Sequence, residues 1–296
     1  MATSPDTRKT VLITGAGVGG IGGELAKEFQ AKGYRVFAAY RRIETVAPLA
    51  ALGIETVELD VTSPLSIAAA HATISALTNG KLSVLVNNAG QGTPRPCTDL
   101  DVEGVVKETF DVNVFGVMRV VQAFVDLLIA DGAATVVNIG SIAPIIPLVF
   151  GGAYNASKAA MHAYADCLRM ELKPFNVKVL TIITGGVRSS IVRSANTQLP
   201  ENSLYTPIND YWLQRVELSQ ACPMDTAVYA KSVVARIIRG GSKPLFWDGY
   251  YSWSAWAIQT FLWKGFTDYS MSEVFGLIKL AKIEAEKRKQ KGIKRA

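Results

Sequence analysis

Three residue types at a short spacing suggest proton chemistry at one point of the chain. Ser141 is followed by the sequence Tyr-Asn-Ala-Ser-Lys from Tyr154 to Lys158, which puts the tyrosine and the lysine one helical turn apart on the same helix face. A tyrosine near its ordinary pKa of about 10 donates a proton readily but is a poor base. A neighbouring ammonium favours the phenolate and lowers that pKa. We therefore predict that Tyr154 donates and accepts a proton and that Lys158 tunes its pKa.

A glycine-rich turn follows the first strand-like segment. Six of the nine residues from Gly15 to Gly23 are glycine, and a helix-forming segment comes next. Glycines let the backbone approach a pyrophosphate, and the helix N-terminus directs amide donors and the positive end of its dipole at the anion. The turn therefore predicts a dinucleotide site formed by Gly15, Gly19, Gly20 and Ile21.

The residues after the second strand indicate which dinucleotide binds. An NAD site has a carboxylate there for the adenosine ribose, whereas this chain has Arg41 and Arg42. A guanidinium matches a 2′-phosphate in charge and geometry, so we expect NADP(H). Asp60, which precedes Val61 after the third strand, has two readings: it accepts from the adenine amino group, or it caps the helix that begins near Pro64.

Alternating elements must position these residues. Six short apolar runs are typical of buried strands: Val11–Thr14, Arg35–Tyr40, Thr56–Leu59, Val84–Asn87, Thr135–Ile139 and Val177–Ile183. Segments of helical period separate or follow them: Leu25–Lys32, Ser66–Leu77, Val105–Ile129, Ala153–Pro174 and Asp225–Arg239. The alternation predicts an α/β fold of the Rossmann type, with a doubly wound parallel sheet and helices on both faces.

Together with Asn87-Asn88-Ala89-Gly90 and Asn113-Val114-Phe115-Gly116, these motifs resemble the short-chain dehydrogenase/reductase family over about Lys9 to Arg239. The resemblance implies that Ser141 hydrogen-bonds a substrate carbonyl, that Tyr154 transfers the proton, and that Lys158 holds the nicotinamide ribose. It implies that Asn113 holds a water in a proton relay. The remaining cofactor contacts that it implies are Val61, Asn87, Ala89, Gly90, Gly186, Val187 and Ser189.

The chain departs from the family pattern at two places. Its glycine turn has four residues between Gly15 and Gly20 where the family usually has three, and Thr184 stands where the family has a φ-fixing proline. With Arg41 and Arg42, both departures are similar to a fungal branch, the 1-acyldihydroxyacetone-phosphate reductase-like enzymes. That branch implies reduction of a lipid ketone at the endoplasmic reticulum or lipid droplets, but similar enzymes serve as tailoring ketoreductases.

Composition limits the class of protein. Apolar residues make up 49% of the chain and charged residues 19%, which favours one folded core. The net charge of +6 lies mostly after Lys279, in a run more typical of a solvated helix end than of a nucleic-acid surface. Three cysteines without CxxC spacing argue against a disulfide framework and a metal site. The polar N-terminus has no apolar signal segment, so we expect a cytoplasmic protein.

We expect a catalytic domain over residues 9–240, with a substrate lid at about 190–223, and a C-terminal extension over 241–296. The extension is rich in aromatic residues, and its run Trp253–Trp263 is too short to span a bilayer. These aromatics have three readings: they wall the substrate pocket or core, lie in a membrane interface, or form a contact in a homo-oligomer, for which the family expectation is a dimer or tetramer. Met271–Ala281 has the period of a helix with one apolar side.

The predicted activity is NADPH-dependent interconversion of a hydrophobic ketone and a secondary alcohol. The apolar segment from Ile142 to Phe150 flanks the catalytic serine and tyrosine, which favours a bulky apolar substrate. If the substrate is an acyldihydroxyacetone phosphate, Arg188 or Arg193 is the cation expected near the pocket. A non-redox isomerase or cyclase that binds NADP(H) on the same fold is the alternative from another class.

Overall fold

The strand-like segments pair in parallel, and a seventh strand joins them. The computed structural model describes residues 6–189, 191, 198–218, 221, 224–290 and 292. Its sheet has the order β3-β2-β1-β4-β5-β6-β7 with every pair parallel, which confirms the predicted Rossmann-type architecture. The strands are β1 Thr10–Ile13, β2 Arg35–Tyr40, β3 Glu55–Glu58, β4 Val84–Asn87, β5 Thr135–Ile139, β6 Lys178–Thr184 and β7 Leu245–Asp248.

Helices connect the strands and extend beyond them. They are α1 Ile21–Ala31, α2 Ala47–Ala50, α3 Pro64–Thr78, α4 Lys107–Phe110, α5 Gly116–Asp131, α6 Gly152–Leu172, α7 Asn209–Glu217, α8 Thr226–Arg239, α9 Ser252–Phe261, α10 Lys264–Val274 and α11 Leu277–Gln290. Thus α7 lies inside the predicted lid, while residues 190, 192–197, 219–220 and 222–223 of that segment lie outside the described residues.

Two apolar layers hold the helices on the sheet. Successive strand residues point to opposite faces, so Leu12 packs in one core cluster with side chains of α3, α5 and α6. Val11 and Ile13 pack in the other cluster with side chains of α1 and α8. The carboxyl ends of β1, β4, β5 and β6 therefore open at one edge of a sheet that is covered on both sides, where such folds bind ligands.

Residues 102–131 form one long helix with two π-helical turns, Val102–Val106 and Asp111–Phe115, around α4. By length and composition this is the one helix among the described residues that meets the criteria for crossing a membrane. Half of its most apolar window is buried inside the fold, as is common for a core helix, and α5 belongs to the core cluster that contains Leu12.

The C-terminal segment differs from the expectation in two ways. β7 pairs with β6, so the boundary drawn at residue 240 separates a strand from the sheet to which it belongs. The helix expected over Met271–Ala281 is wrong as a single element, because Gly276 has φ +73° and separates α10 from α11. Phe275 is buried at this break, whereas Val274 is 58% exposed.

Candidate active site

Ser141 and Tyr154 meet at the carboxyl end of β5. Ser141 follows β5 after Gly140, and Tyr154 lies in the first turn of α6, where the Ser141 hydroxyl is close enough to lower the pKa of the tyrosine. The Ser141 Oγ also accepts a bond of 3.0 Å from the Ala143 amide, which fixes the serine side chain toward α6. The structure thus brings the predicted serine and tyrosine into direct contact.

Lys158 lies one turn further along α6 and is 5% exposed. Its Nζ donates to the Ile139 carbonyl oxygen at 2.8 Å and lies 5.9 Å from the centre of the Tyr154 ring. Burial lowers the pKa of Lys158 from 10.5 to about 8, because an ammonium is less well solvated inside the protein. Lys158 therefore stays mostly protonated at pH 7 but gives up its proton more readily than an exposed lysine.

The pKa of Tyr154 is set differently from the sequence expectation. Burial raises it, while the hydrogen bond from Ser141 and the positive charge of Arg215 lower it. Here the effects that favour the phenolate come from these two residues, whereas the sequence predicted that Lys158 supplies them. Arg215 belongs to α7, far along the chain from the tyrosine, so no local spacing indicated it.

His162 is a neighbour of this site that the sequence reasoning missed. Its Nε2 accepts a hydrogen bond of 3.3 Å from the Ser141 amide. Burial, together with the charge of Lys158, lowers the pKa of His162 from 6.5 to about 4, so the ring is neutral and can accept. The four-residue spacing between Lys158 and His162 on α6 could have indicated from the sequence that the histidine lies near the site.

Asn113 lies in the second π-helical turn and is 1% exposed. Its Oδ1 accepts from the Gln91 amide, and its Nδ2 donates to the Gln91 carbonyl and to the Ser157 Oγ, at 2.9 to 3.0 Å. These bonds tie the segment after β4 to α6. Gly90 lies within this contact, since a Cβ there would lie 3.4 Å from the Asn113 Oδ1 and 3.7 Å from the Lys158 Nζ.

The glycine turn fits a dinucleotide phosphate. Gly15 has φ +63°, and a Cβ on it would lie 2.8 Å from the Ala89 Cα, so only glycine allows this close approach. Gly19 has φ +77° with nothing within 4 Å of a Cβ position, which leaves open space beside the turn. Gly20 is the N-cap of α1, whose first helical residue is Ile21, and no side chain caps it. The first amides of α1 thus remain available for an anion.

Asn88 holds this turn in place. Its Nδ2 donates to the carbonyl oxygens of Thr14 and Gly15 at 2.9 Å. Asn87 makes a different contact. Its Nδ2 donates to the Asn138 Oδ1 on β5, and the residue is 4% exposed. This bond links two central strands at the point where a cofactor contact of Asn87 is predicted.

Arg41 and Arg42 are exposed in the turn after β2. The glycine turn contacts the same segment, since the Val18 amide donates to the Thr45 carbonyl at 2.9 Å. This bond brings the phosphate turn and the two arginines to one edge of the site, as a 2′-phosphate contact requires.

Of the two readings of Asp60, the helix cap is wrong. Ser63 is the N-cap of α3, and its side chain accepts from the Ser66 amide. The Asp60 Oδ1 instead accepts from the amide and hydroxyl of Thr62, at 2.9 and 2.7 Å. Val61 is 8% exposed and contacts the helix side of the site at Gly116, where a Cβ would lie 2.8 Å from a Val61 methyl group.

The loop after β6 is held by the C-terminal segment. Gly186 and Tyr250 exchange two backbone hydrogen bonds of 2.7 and 3.0 Å. Thr184, which stands in the place of the family proline, bonds through its Oγ1 to the hydroxyl of buried Tyr229 at 2.6 Å. Val187 is 4% exposed, while Ser189 is partly buried and Arg188 is exposed. Arg193, the other cation considered for a phosphate, lies outside the described residues.

The substrate side of Tyr154 is apolar and strained. Phe150, four residues before the tyrosine, has φ +61°, a conformation that bulky side chains rarely adopt. It packs edge-to-face on Phe275 and Tyr205, with ring centres 6.3 and 5.4 Å apart. Trp212 of α7 belongs to the same cluster. The strain is therefore maintained by packing from α7 and from the C-terminal segment.

Known proteins are similar to this chain in sequence and in fold. A family model described as short chain dehydrogenase matches residues 9–200. The chain is 39% identical over 289 residues to the short-chain dehydrogenase srdE of Neurospora crassa, covering 97% of this chain and 99% of the relative. It is 42% identical to the NADPH-dependent 1-acyldihydroxyacetone phosphate reductase of Schizosaccharomyces pombe, over 68% of this chain and 69% of that protein.

A solved short-chain dehydrogenase from Streptomyces avermitilis superimposes with a TM-score of 0.75 at 27% identity, covering 94% of this chain and 99% of that one. The family model covers more than half of the chain and matches the segment that carries the glycine turn, Ser141, Tyr154 and Lys158. The predicted family and the predicted class of enzyme are confirmed: the chain belongs to the short-chain dehydrogenase family and is an oxidoreductase.

Proposed function

We propose that this protein is an NADPH-dependent ketoreductase that converts a hydrophobic ketone into a secondary alcohol. The observation that carries the proposal is the placement of Ser141 at the end of β5 where its hydroxyl lowers the pKa of Tyr154, with buried Lys158 on the same helix face as the tyrosine. The glycine turn and Gly90 lie on the side of this group where the dinucleotide belongs in the fold.

NADP(H) is the cofactor, as the sequence predicted. The Schizosaccharomyces relative is named as NADPH-dependent, and this chain has Arg41 and Arg42 where an NAD enzyme has a carboxylate. Bound NADPH supplies the hydride that reduces the carbonyl carbon. Gly15, Gly19, Gly20 and Ile21 would hold its pyrophosphate, and Val187 and Ser189 would face its carboxamide.

The protein's own groups handle the proton. The Ser141 hydroxyl donates to the substrate carbonyl oxygen, and the Tyr154 hydroxyl delivers a proton to that oxygen as negative charge develops there. The charge of Arg215 favours the resulting phenolate. Neutral His162 holds the serine backbone, and Asn113 holds the segment after β4, so both position the reacting groups.

The substrate is proposed to be a natural-product intermediate or a lipid. Residues 142–150 place mainly apolar, partly buried side chains beside Ser141, which suits a bulky apolar ketone. The similarity to the Schizosaccharomyces enzyme supports 1-acyldihydroxyacetone phosphate as the specific alternative. A non-redox reaction with Tyr154 as the acid is the other alternative.

A turnover assay tests the proposal. Loss of NADPH absorbance is followed with a panel of hydrophobic ketones that includes an acyldihydroxyacetone phosphate, for the wild type and for Tyr154→Phe. Tyr164→Phe is the matched control, because Tyr164 lies on the same helix and packs on the core cluster away from Ser141. Turnover that only Tyr154→Phe abolishes supports the proposal. Tight NADPH binding without oxidation across the panel would favour the non-redox alternative.

Contact with a membrane surface is proposed for the C-terminal segment. The aromatic surface, formed by Trp253, Trp256, Phe261, Trp263 and Phe266, has side chains 38% to 72% exposed. Its tryptophans are thus accessible from solvent rather than packed in the core. Large exposed aromatic groups beside Lys264 and a basic α11 match the features of interfacial binding. Such contact would place the enzyme at the cytosolic face of the endoplasmic reticulum or a lipid droplet.

A homo-oligomer, either a dimer or a tetramer, is proposed from the family expectation. The same aromatic surface is the competing site for a contact between copies. Mass photometry at two protein concentrations would measure the state, and a monomer at both concentrations would contradict this proposal.

A further inference from the structure

Gly92 packs directly against the ring of Tyr154. The residue is buried in the segment after β4, two positions after Gly90. A Cβ on Gly92 would lie 3.1 Å from the Tyr154 Cδ2, 3.4 Å from its Cγ and 3.7 Å from its Cβ. Carbon atoms in ordinary contact are about 3.5–4.0 Å apart. The base of the tyrosine ring therefore already occupies the space that a side chain at position 92 would need.

The backbone at Gly92 does not itself require glycine. Its φ lies outside the positive range, unlike the φ of Gly15 and Gly19. Residues with a side chain adopt such a conformation readily. The three atoms nearest to the Cβ position all belong to Tyr154. The close approach of the tyrosine ring, and not a backbone angle, is thus what requires glycine here.

Hydrogen bonds hold residues 91–95 in place on both sides of this contact. Three backbone amides of the segment donate to other parts of the fold: Gln91 to the Asn113 Oδ1 at 2.9 Å, Gly92 to the Ile191 carbonyl oxygen at 3.2 Å, and Arg95 to the Phe150 carbonyl oxygen at 2.7 Å. The segment is therefore fixed to the long helix and to the residues just before α6. A methyl group added at Gly92 would displace the ring rather than the segment.

A shift at the base of the ring reaches the reacting hydroxyl. To restore ordinary contact with a Cβ at 3.1 Å, the ring must move by roughly 0.4 Å. Catalytic groups have to be held within about 0.5 Å of the productive geometry, and a misplacement of about 1 Å can cost about a hundredfold in rate. The displacement expected from a single methyl group is large enough to slow proton transfer.

We propose that Gly92 is a positioning residue for proton transfer, because the absence of a side chain lets the backbone of residues 91–95 support the Tyr154 ring in its reactive orientation. The inference rests on the proposed reductase function and adds a residue on which that function depends. Gly92 acts through Tyr154 and contributes no group to the reaction.

The kinetic test compares Gly92→Ala with Gly265→Ala. Each adds a methyl group 3.1 Å from an aromatic ring, but Gly265 lies on α10 beside exposed Trp263. With a water-soluble ketone that the wild type reduces, Gly92→Ala should lower kcat by about tenfold or more and leave the Kd for NADPH unchanged. The pH above which reduction slows should move upward, because the displaced hydroxyl loses the influence of Ser141 that lowers the Tyr154 pKa. Gly265→Ala should change none of these quantities.

A double-mutant cycle of thermal midpoints tests the contact without turnover. Gly92→Ala should lower the midpoint of the cofactor-free protein by about 3 °C or more, since it overfills a packed contact. The same change should lower the midpoint much less once Tyr154→Ala has removed the ring. If Gly92→Ala alone does not fold, the double variant Gly92→Ala/Tyr154→Ala should fold.

The outcomes separate the two proposals. Wild-type kcat in a folded Gly92→Ala protein, or equal destabilisation with and without the ring, overturns the positioning role and leaves the reductase standing. A similar loss of kcat in Gly265→Ala, or a double variant that also fails to fold, overturns the positioning role as well. Destabilisation that depends on the Tyr154 ring, without reduction of any ketone by the wild type, leaves the contact standing and removes the reductase.

Discussion

Lys158 allows a quantitative test of how burial sets the charge in this site. Its pKa is lowered from 10.5 to about 8 in the folded protein. Between these values the unfolded chain binds the proton more tightly than the native one, so stability rises with pH across this window. From about pH 7.5 to about pH 9.5, the linkage relation gives a gain of about 2 kcal/mol from this residue.

Denaturant unfolding of the cofactor-free protein at these two pH values measures the gain. Lys158→Met has no proton to lose, so the difference in unfolding free energy between wild type and Lys158→Met should change by about 2 kcal/mol between them. Lys173→Met, at an exposed position after α6, should show no such change. The pH range stays below the ordinary tyrosine pKa of about 10 to avoid titration of phenols. A pH dependence that is identical in wild type and Lys158→Met would refute a depressed lysine pKa.

Three further results are expected. Replacing Arg41 and Arg42 together by alanine should weaken NADPH binding by about tenfold or more while leaving NADH binding nearly unchanged, as measured by fluorescence titration; equal loss for both cofactors would contradict the 2′-phosphate contact. Phe275→Ala should lower the unfolding free energy by about 3 kcal/mol, while Val274→Ala, at the exposed neighbour, should change it by less than about 0.5 kcal/mol. Trp263→Ser should reduce co-flotation with anionic phospholipid vesicles without changing turnover of a water-soluble ketone, and unchanged flotation would argue against membrane contact.

The sequence predicts the central part of the fold because local signals determine it. The strands β1, β2, β4, β5 and β6 are mainly apolar runs between turn residues, and a doubly wound sheet buries such runs on both faces. The strand β7 was missed because Leu245–Asp248 is an edge strand with partly exposed side chains inside an aromatic-rich segment. The break between α10 and α11 was missed because it depends on the positive φ of one residue, Gly276. Helical periodicity in the sequence does not indicate a single backbone angle.

The features of the site likewise divide into those that local spacing predicts and those that depend on the three-dimensional fold. The spacing of Tyr154 and Lys158 predicts that they share a helix face, which requires only the geometry of one helix. The pKa of the tyrosine depends on what surrounds it in three dimensions, including Arg215 of α7, and spacing along the chain does not contain that information. The bond between Asn87 and Asn138 of the adjacent strand likewise depends on the pairing of β4 with β5, which the motif around Asn87 does not contain.

The C-terminal segment supports the site from two sides. Its Tyr250 carbonyl would lie 2.1 Å from a Cβ on Gly185, so this close contact requires glycine. Its Phe275 packs on Phe150, which holds a strained φ four residues before the catalytic tyrosine. Because the segment contacts the loop after β6 and also the substrate side of Tyr154, its loss would change the geometry of the active site itself. The aromatic surface lies on this same segment. A membrane or partner bound there would therefore contact the segment that also supports the active site.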